Sequence, residues 1–168
     1  MGVYRELHSE FALRTKANLE YIEAAWDRRE PNVYNVTQLI NSCLGMVVFI
    51  KECGYVPQKS IKDFCPDIEF ETIRDCKNSN ASLEQFLKRF RNAISHCNIE
   101  AYGTPSDIKG FILHDGPKPK EGPKKELKKK AEKNWIIQME TNSIRALALA
   151  LVDHVVNHPP KPEEINGL

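Results

Sequence analysis

The chain has 168 residues, of which 41% are hydrophobic and 28% charged, and its 24 Lys and Arg nearly balance its 23 Asp and Glu. This is the composition of one soluble globular domain, and the length excludes two full-sized domains. The longest apolar runs, 45–50 and 146–152, are shorter than the roughly 18 residues that span a bilayer, and the first residues carry charges where a signal peptide is apolar, so we expect a cytoplasmic protein with no membrane association.

The cysteines give no sign of a disulfide framework or a metal site. They stand at positions 43, 53, 65, 76 and 97, odd in number and widely spaced, which favours reduced thiols. No Cys-x-x-Cys pair occurs, and no two histidines have the spacing of zinc ligands beside such a pair. We therefore predict no metal site, and we expect no cofactor.

Two amphipathic helices are predicted in the first third of the chain. Arg14 falls close to the apolar stripe of the first helix, and we expect its side chain, like that of Asn18, to reach the surface. Asn35 and Gln38 have the spacing of a capping box at the start of the second helix, and Gly54 is placed to end it. The first helix has about six turns, ends at Pro31 and carries its apolar stripe on Tyr4, Leu7, Phe11, Leu19, Ile22 and Trp26.

A third long helix is predicted after a less regular segment. Residues 55–80 contain two prolines and only short apolar pieces, which indicates loop with one or two short helices. Ser82 and Gln85 repeat the capping-box spacing before an amphipathic run, so the helix is expected over about 82–98 and is broken by Pro105.

The last third of the chain predicts a hairpin and a final helix. Two β-branched or aromatic runs, 110–114 and 135–139, flank a lysine-rich connector, which indicates a long-looped β-hairpin. Residues 144–156 are apolar almost all round, which predicts a helix buried on most faces. The proline-bearing segment 159–168 is expected to be a frayed tail.

These elements predict a mainly α fold, a helical bundle with one small β-hairpin that bears the lysine-rich connector. No internal repeat is visible. We expect a single domain over residues 1–158, with the hairpin inserted at about 108–140, followed by the C-terminal tail.

One polar face of the third helix carries the candidate functional residues. Arg91, Asn92, Ser95 and His96 project away from the apolar stripe. Asn92 and His96 are i and i+4 neighbours, so the amide is expected to hold the imidazole. Arg91 and His96 lie about 140° apart and about 7.5 Å apart along the axis, which makes a poor pair on one helix. Two copies facing each other across a twofold axis would form one composite cleft, so we expect a homodimer.

Arginine and histidine without metal ligands nearby suit cleavage of RNA by attack of its own 2′-hydroxyl. Histidine transfers protons near neutral pH, and a guanidinium holds phosphate oxygens as charge builds on them. The alternative is that Arg91 and His96 are ordinary residues on a solvated face, and the spacing alone favours this alternative.

The segment from Phe86 to His96 resembles the Arg-x4-6-His signature of the HEPN superfamily (higher eukaryotes and prokaryotes nucleotide-binding domains), in which a polar residue, often Asn, follows the Arg. Residues 34–45 and 135–139 are also similar to the HEPN-family nucleases of bacteria and their plasmids. The resemblance covers most of the chain, and it favours a catalytic role for Arg91 and His96 over the solvated-face alternative.

The resemblance implies a helical bundle, a dimer whose interface forms the active site, and metal-independent RNA cleavage that leaves a 2′,3′-cyclic phosphate. By position it assigns Arg91 and His96 to the catalytic pair and Asn92 to the polar accessory residue. It also implies a toxin or anti-phage defence effector, with an antitoxin or defence-system protein as a possible partner. Because some HEPN proteins lack activity, a non-catalytic module that binds nucleotide, RNA or a partner protein is the alternative. A helical scaffold with no ligand is a third hypothesis.

The connector between the two hairpin runs concentrates positive charge. Its eight lysines and three glutamates give residues 118–133 a balance of +5, which leaves −4 for the rest of the chain. A phosphate-tracking RNA arm and a solvated hairpin tip are equally supported, because no aromatic residue stands among the lysines to stack bases. The candidate RNA-binding residues are Lys118, Lys120, Lys124, Lys125, Lys128, Lys129, Lys130 and Lys133.

Overall fold

The computed structural model describes residues 7–75, 77–104, 107–116 and 135–158, and this part of the chain is mainly α with one antiparallel sheet. Its helices are α1 (Leu7–Asp27), α2 (Asn35–Glu52), α3 (Ile61–Phe64), α4 (Leu83–Ser95) and α5 (Thr141–Asn157), and a 3-10 turn covers Ser79–Ala81. Its strands are β1 (Glu71–Asp75), β2 (Ile99–Thr104), β3 (Asp107–Asp115) and β4 (Trp135–Glu140). None of the helices in these ranges is both long and apolar enough to cross a membrane.

The chain divides into two compact units. The first holds the described residues up to Val56 and from Ile144 onward, and the second holds those from Pro57 to Ser143. The prediction of a single domain over residues 1–158 stays a prediction, and the tail at 159–168 lies outside the described residues.

In the first unit, α1 has the predicted length, but only part of its predicted apolar stripe, including Leu19, is buried. Ala12, Leu19 and Ala25 are its buried residues, whereas Leu7 and Trp26, both placed on the predicted apolar stripe, are 53% and 45% exposed. The small alanine side chains allow close helix packing, which a search for large apolar residues overlooks. Arg14 is exposed as predicted, and it forms an ion pair of 2.7 Å with Glu10, four residues earlier.

Helices α2 and α5 follow their sequence patterns, with one exception at the start of α2. The C-terminal stop is confirmed: Gly54 has a φ of 71°, and the N–H of Tyr55 donates to the Ile50 carbonyl at 2.9 Å, as in a Schellman turn. The predicted capping box at the start of α2 does not form, because Asn35 lies inside the helix and the Gln38 amide donates to Ser42 instead. Helix α5 buries Ile144, Leu147, Ala148, Leu151, Val152 and Val155 completely.

In the second unit, the sheet has the strand order β1-β4-β3-β2. The predicted runs pair in antiparallel register, with Gly110 opposite Glu140 and Leu113 opposite Ile137. The lysine-rich connector and all eight candidate lysines lie outside the described residues. The two outer strands, β1 and β2, were not predicted. Both carry mostly exposed side chains, so their hydrogen bonds to the inner strands, which no local pattern reveals, decide their structure.

Helix α4 packs its apolar face into the core of this unit. Phe86 meets Trp135 of β4 edge to face, with ring centroids 5.8 Å apart, and the Trp135 indole N–H donates to Asn80 at 2.6 Å. Ser82 is the N-cap residue, but its side chain makes no capping hydrogen bond, so the prediction of a second capping box is also wrong. The buried residues of α4 are Leu83, Phe86, Leu87, Phe90 and Ala93.

Candidate functional site

The site predicted from the sequence lies where α4 ends and the chain turns into β2. The helix stops at Ser95, three residues earlier than expected, and His96 is its C-cap residue rather than a residue of its interior. The N–H of Cys97 donates to Ile94 at 3.0 Å, and the N–H of Asn98 donates to Ala93 at 2.7 Å. These two bonds form a Schellman turn, with Cys97 at the left-handed position (φ 55°).

The turn is anchored to the sheet by a further main-chain bond. The His114 N–H on β3 donates to the Asn98 carbonyl at 3.0 Å. Residue 99, the next along the chain, begins β2, which pairs with β3 from Ile99 opposite Leu113. The position of the His96 backbone is therefore set by α4 on one side and by the sheet on the other.

The Arg91 and His96 side chains differ in their exposure to solvent. Arg91 is partly buried and His96 is exposed. Neither side chain makes a hydrogen bond or ion pair with any residue in the described ranges. The guanidinium donors and the imidazole nitrogens are therefore open to an external ligand. Such a ligand can be a phosphate group, for which arginine has five donors and histidine an exchangeable proton.

Asn92 does not hold the His96 imidazole, contrary to the expectation from their i, i+4 spacing. Its side-chain Nδ2 donates to Oδ2 of Asp115 at 3.3 Å. The link between Asn92 and His96 runs through the main chain instead, because the His96 N–H donates to the Asn92 carbonyl at 3.0 Å. The helix end breaks the regular spacing on which the side-chain prediction depended.

Two residues that the sequence analysis did not single out, Arg89 and Asp115, complete this cluster. The Arg89 guanidinium donates to Asp115 Oδ2 at 2.7 Å, on the same oxygen that Asn92 reaches. The Arg89 and Asp115 side chains are only 17% and 14% exposed, and Arg89 Nε is buried without a partner among the described residues. A signal for the pair existed: Arg89 shares a helix face with Asn92, and Asp115 follows directly after a predicted strand.

The electrostatics of this helix end disfavour an anion unless a side-chain cation lies nearby. The C-terminus of an α-helix carries a partial negative charge, which disfavours an anion there. Asp115 adds a carboxylate, but Arg89 already pairs with it. A phosphate near His96 must therefore be attracted by a side-chain cation. Arg91 and the exposed Lys88, three residues before it, supply cations on one outward face of α4.

Comparison with known proteins assigns this chain to a family. The family model described as HEPN pEK499 p136 matches residues 1–161. No curated protein and no solved structure gave a significant match. The family match spans nearly the whole chain, including α4, its C-terminal turn and the four strands, and the chain therefore belongs to the HEPN superfamily.

Proposed function

We propose that this HEPN protein is a metal-independent endoribonuclease that cleaves RNA by attack of the 2′-hydroxyl. HEPN domains are nucleases or nucleotide-binding modules, and the finer assignment depends on the residues of this chain. One observation carries it: Arg91, a phosphate-binding cation, and His96, an acid-base group, lie at the same end of α4, and neither side chain has a hydrogen-bond or ion-pair partner in the described part of the chain. Residues on a merely solvated face need not combine these two chemistries within six positions.

In the proposed reaction the ribose 2′-oxygen attacks the adjacent phosphorus, and the bond from phosphorus to the 5′-oxygen breaks. A neutral imidazole takes the 2′-hydroxyl proton, and a protonated imidazole gives a proton to the leaving 5′-oxygen. The products are a 2′,3′-cyclic phosphate and a free 5′-hydroxyl. Arg91 binds the non-bridging oxygens as negative charge grows on them.

Two imidazoles are needed for the two proton transfers to occur in one step. Each chain offers one His96, so the proposal includes a homodimer in which the α4 ends of two protomers share a cleft. Asn92 acts in this scheme as a positioning residue, since Asp115 fixes its side chain and its carbonyl holds the His96 N–H. The biological role we propose is that of a toxin or anti-phage defence effector, with an antitoxin or defence-system protein as a partner.

The central test is cleavage of single-stranded RNA by the purified protein in the presence of EDTA. His96→Ala and Arg91→Ala should each lower the rate by about 10² or more, the scale of losing an acid-base group or a charge donor. Asn92→Ala should lower it less. His158→Ala is the matched control, because it removes another exposed histidine and should leave the rate unchanged.

Four results would contradict the proposal. Cleavage that requires a divalent ion, or that proceeds equally on DNA, would exclude attack by the 2′-hydroxyl. RNA binding without cleavage would favour the non-catalytic module. A monomer by light scattering at micromolar concentration would contradict the shared cleft.

A further inference from the structure

The turn between α1 and α2, in the first unit, combines exposed aromatic and cationic side chains. Trp26, on the last turn of α1, is 45% exposed, and Tyr34, just before α2, is 67% exposed. Arg28 and Arg29 lie between them and are both exposed. Exposed aromatic rings beside guanidinium groups form a surface that can stack a base and bind a phosphate.

The backbone holds Arg29 in a conformation that is unusual for a side chain of its size. Its φ is 57°, in the left-handed region that glycine favours. The turn is fixed by two main-chain bonds, from Arg29 to Trp26 at 2.9 Å and from Glu30 to Ala25 at 3.1 Å. Arg29 therefore occupies the left-handed position of the turn that ends α1, which fixes the point at which its side chain leaves the backbone.

Trp26 and Arg29 line a cavity of about 460 Å³, together with Asp27 and Glu30. This volume lies within the range of roughly 300–1,000 Å³ that is typical of small-molecule sites. Glu30 is already engaged by Arg28 through an ion pair of 2.8 Å. Asp27 and Arg29 make no side-chain ion pair or hydrogen bond within the described part of the chain, so one carboxylate, one guanidinium and one indole remain for a ligand.

We propose that this cavity binds one nucleotide of single-stranded RNA, with its base stacked on the Trp26 indole. Base stacking on aromatic side chains is the usual means of holding an unpaired base, and Arg29 would bind the adjacent phosphate. Asp27 accepts hydrogen bonds only, so it selects a base edge that donates. Guanine presents two adjacent donors, N1–H and the exocyclic amine, whereas uracil presents one, and the subsite therefore prefers guanine over uracil.

This proposal rests on the proposed function for the choice of RNA as the ligand, but its test is a binding measurement that requires no cleavage. The probes are 2′-O-methyl oligonucleotides, which have no free 2′-hydroxyl to attack the phosphate: UUGUU, UUUUU, and UUIUU, in which inosine lacks the exocyclic amine. The readout is tryptophan fluorescence. The chain has two tryptophans, and Trp135 is only 1% exposed, so a base that stacks on Trp26 quenches the accessible one.

We expect saturable quenching by UUGUU, with affinity about fivefold or more above that for UUUUU and UUIUU. Asp27→Asn should remove the difference between guanine and inosine. Trp26→Ala should weaken UUGUU binding by about fivefold or more, measured by fluorescence anisotropy of a labelled probe. Arg29→Gln should lower the affinity for all three probes and reduce the salt dependence of binding. Trp135→Phe and Arg14→Gln are the controls, and both should bind like the unmodified protein.

The outcomes separate this proposal from the proposed nuclease activity. Guanine-dependent binding at Trp26 in a protein that does not cleave RNA would support the subsite and contradict the nuclease. If Trp26→Ala changes neither RNA cleavage nor probe binding, the proposed subsite is wrong, and the proposed nuclease activity is unaffected. If Trp26→Ala instead leaves probe binding unchanged and converts a dimer to a monomer, the patch is a protein interface and the proposal is wrong. Trp26→Phe, which keeps an aromatic ring and should retain most of the binding, distinguishes lost stacking from lost folding.

Discussion

Cys97 holds a left-handed backbone conformation, with a φ of 55°, in which glycine is the usual residue. Because Cys97 carries a β-carbon, this conformation costs about 1 kcal/mol or more relative to glycine. The cost is localised directly after His96, at the turn that ends α4. Single residues of this kind decide where a candidate catalytic group is held, and they also set local stability.

Replacing Cys97 with glycine should therefore stabilise the protein. We expect a gain of about 0.5–1 kcal/mol, since the removed strain exceeds the added freedom of the unfolded chain, and a rise in Tm of about 1–4 °C by thermal unfolding. Cys97→Ala keeps the β-carbon and should give no gain. A lower Tm for the glycine variant would show that the thiol contributes more than the strain removes.

Burial of Cys65 gives the protein a specific sensitivity to alkaline pH. The side chain is 3% exposed, and burial, followed by the negative charge of Asp67, raises the pKa of its thiol above the ordinary value of 9.0. The folded state therefore holds this proton more tightly than the unfolded state. The resulting stability is fully present below pH 9 and is lost as the pH rises through the higher pKa of the folded state.

Urea unfolding at pH 8 and pH 10 measures this effect. The unmodified protein should lose more free energy of unfolding between the two pH values than Cys65→Ala does, by up to about 1.4 kcal/mol per pH unit for one proton. The alanine variant will be less stable at both values because it leaves a small cavity, so the pH dependence is the quantity to compare. Equal losses would mean that Cys65 does not contribute.

At the scale of the elements, the pairing of Arg89 with Asp115 fastens α4 to the end of β3. The pair is mostly buried, its N–O distance is 2.7 Å, and it also fixes the Asn92 side chain. Breaking a buried pair from one side leaves an unpaired charge, which costs more than the pair itself contributes. This attachment sets the orientation of the helix face that carries Arg91.

Asp115→Ala should therefore destabilise the second unit by about 3 kcal/mol, measured by urea unfolding. Asp115→Asn keeps the shape and one acceptor oxygen and should cost less. If RNA cleavage is established, both variants should also lower its rate, because Asn92 loses its fixed position. Unchanged stability in the alanine variant would show that water replaces the carboxylate at this site.

At the scale of the whole molecule, charge is distributed unevenly along the chain. Residues 118–133 carry +5, and the remaining residues carry −4. A basic segment on a nearly neutral protein is suited to contacts with phosphates, which depend on salt through the release of counterions. The alternative is that the same charge serves solubility alone.

Replacing Lys124, Lys125, Lys128, Lys129 and Lys130 with glutamine separates these roles. We expect weaker RNA binding and a flatter dependence of the logarithm of affinity on the logarithm of salt concentration, with an unchanged thermal unfolding midpoint. Affinity and salt dependence equal to those of the unmodified protein would show that the lysines do not contact RNA.

The sequence by itself determined those features that depend on residues close together along the chain. Gly54 ended α2 because a left-handed turn favours glycine, and the apolar spacing from Leu83 to Phe90 placed the buried face of α4. Short runs of β-branched and aromatic residues identified β3 and β4. The Arg-x4-His spacing at Arg91 and His96 pointed to the HEPN family, to which the family match assigns the chain.

Only the tertiary structure decided the features that depend on distant partners. The outer strands β1 and β2 are strands because they bond to β4 and β3, although their own side chains are mostly exposed. The Asn92 amide turned to Asp115, a residue 23 positions away, instead of to His96 four positions away. An isolated helix offers only its own neighbours as partners, whereas a folded chain brings remote groups within hydrogen-bond distance. A carboxylate in a mostly buried pair is a stronger acceptor than an exposed imidazole, and the Asn92 amide therefore bonds to Asp115 rather than to His96.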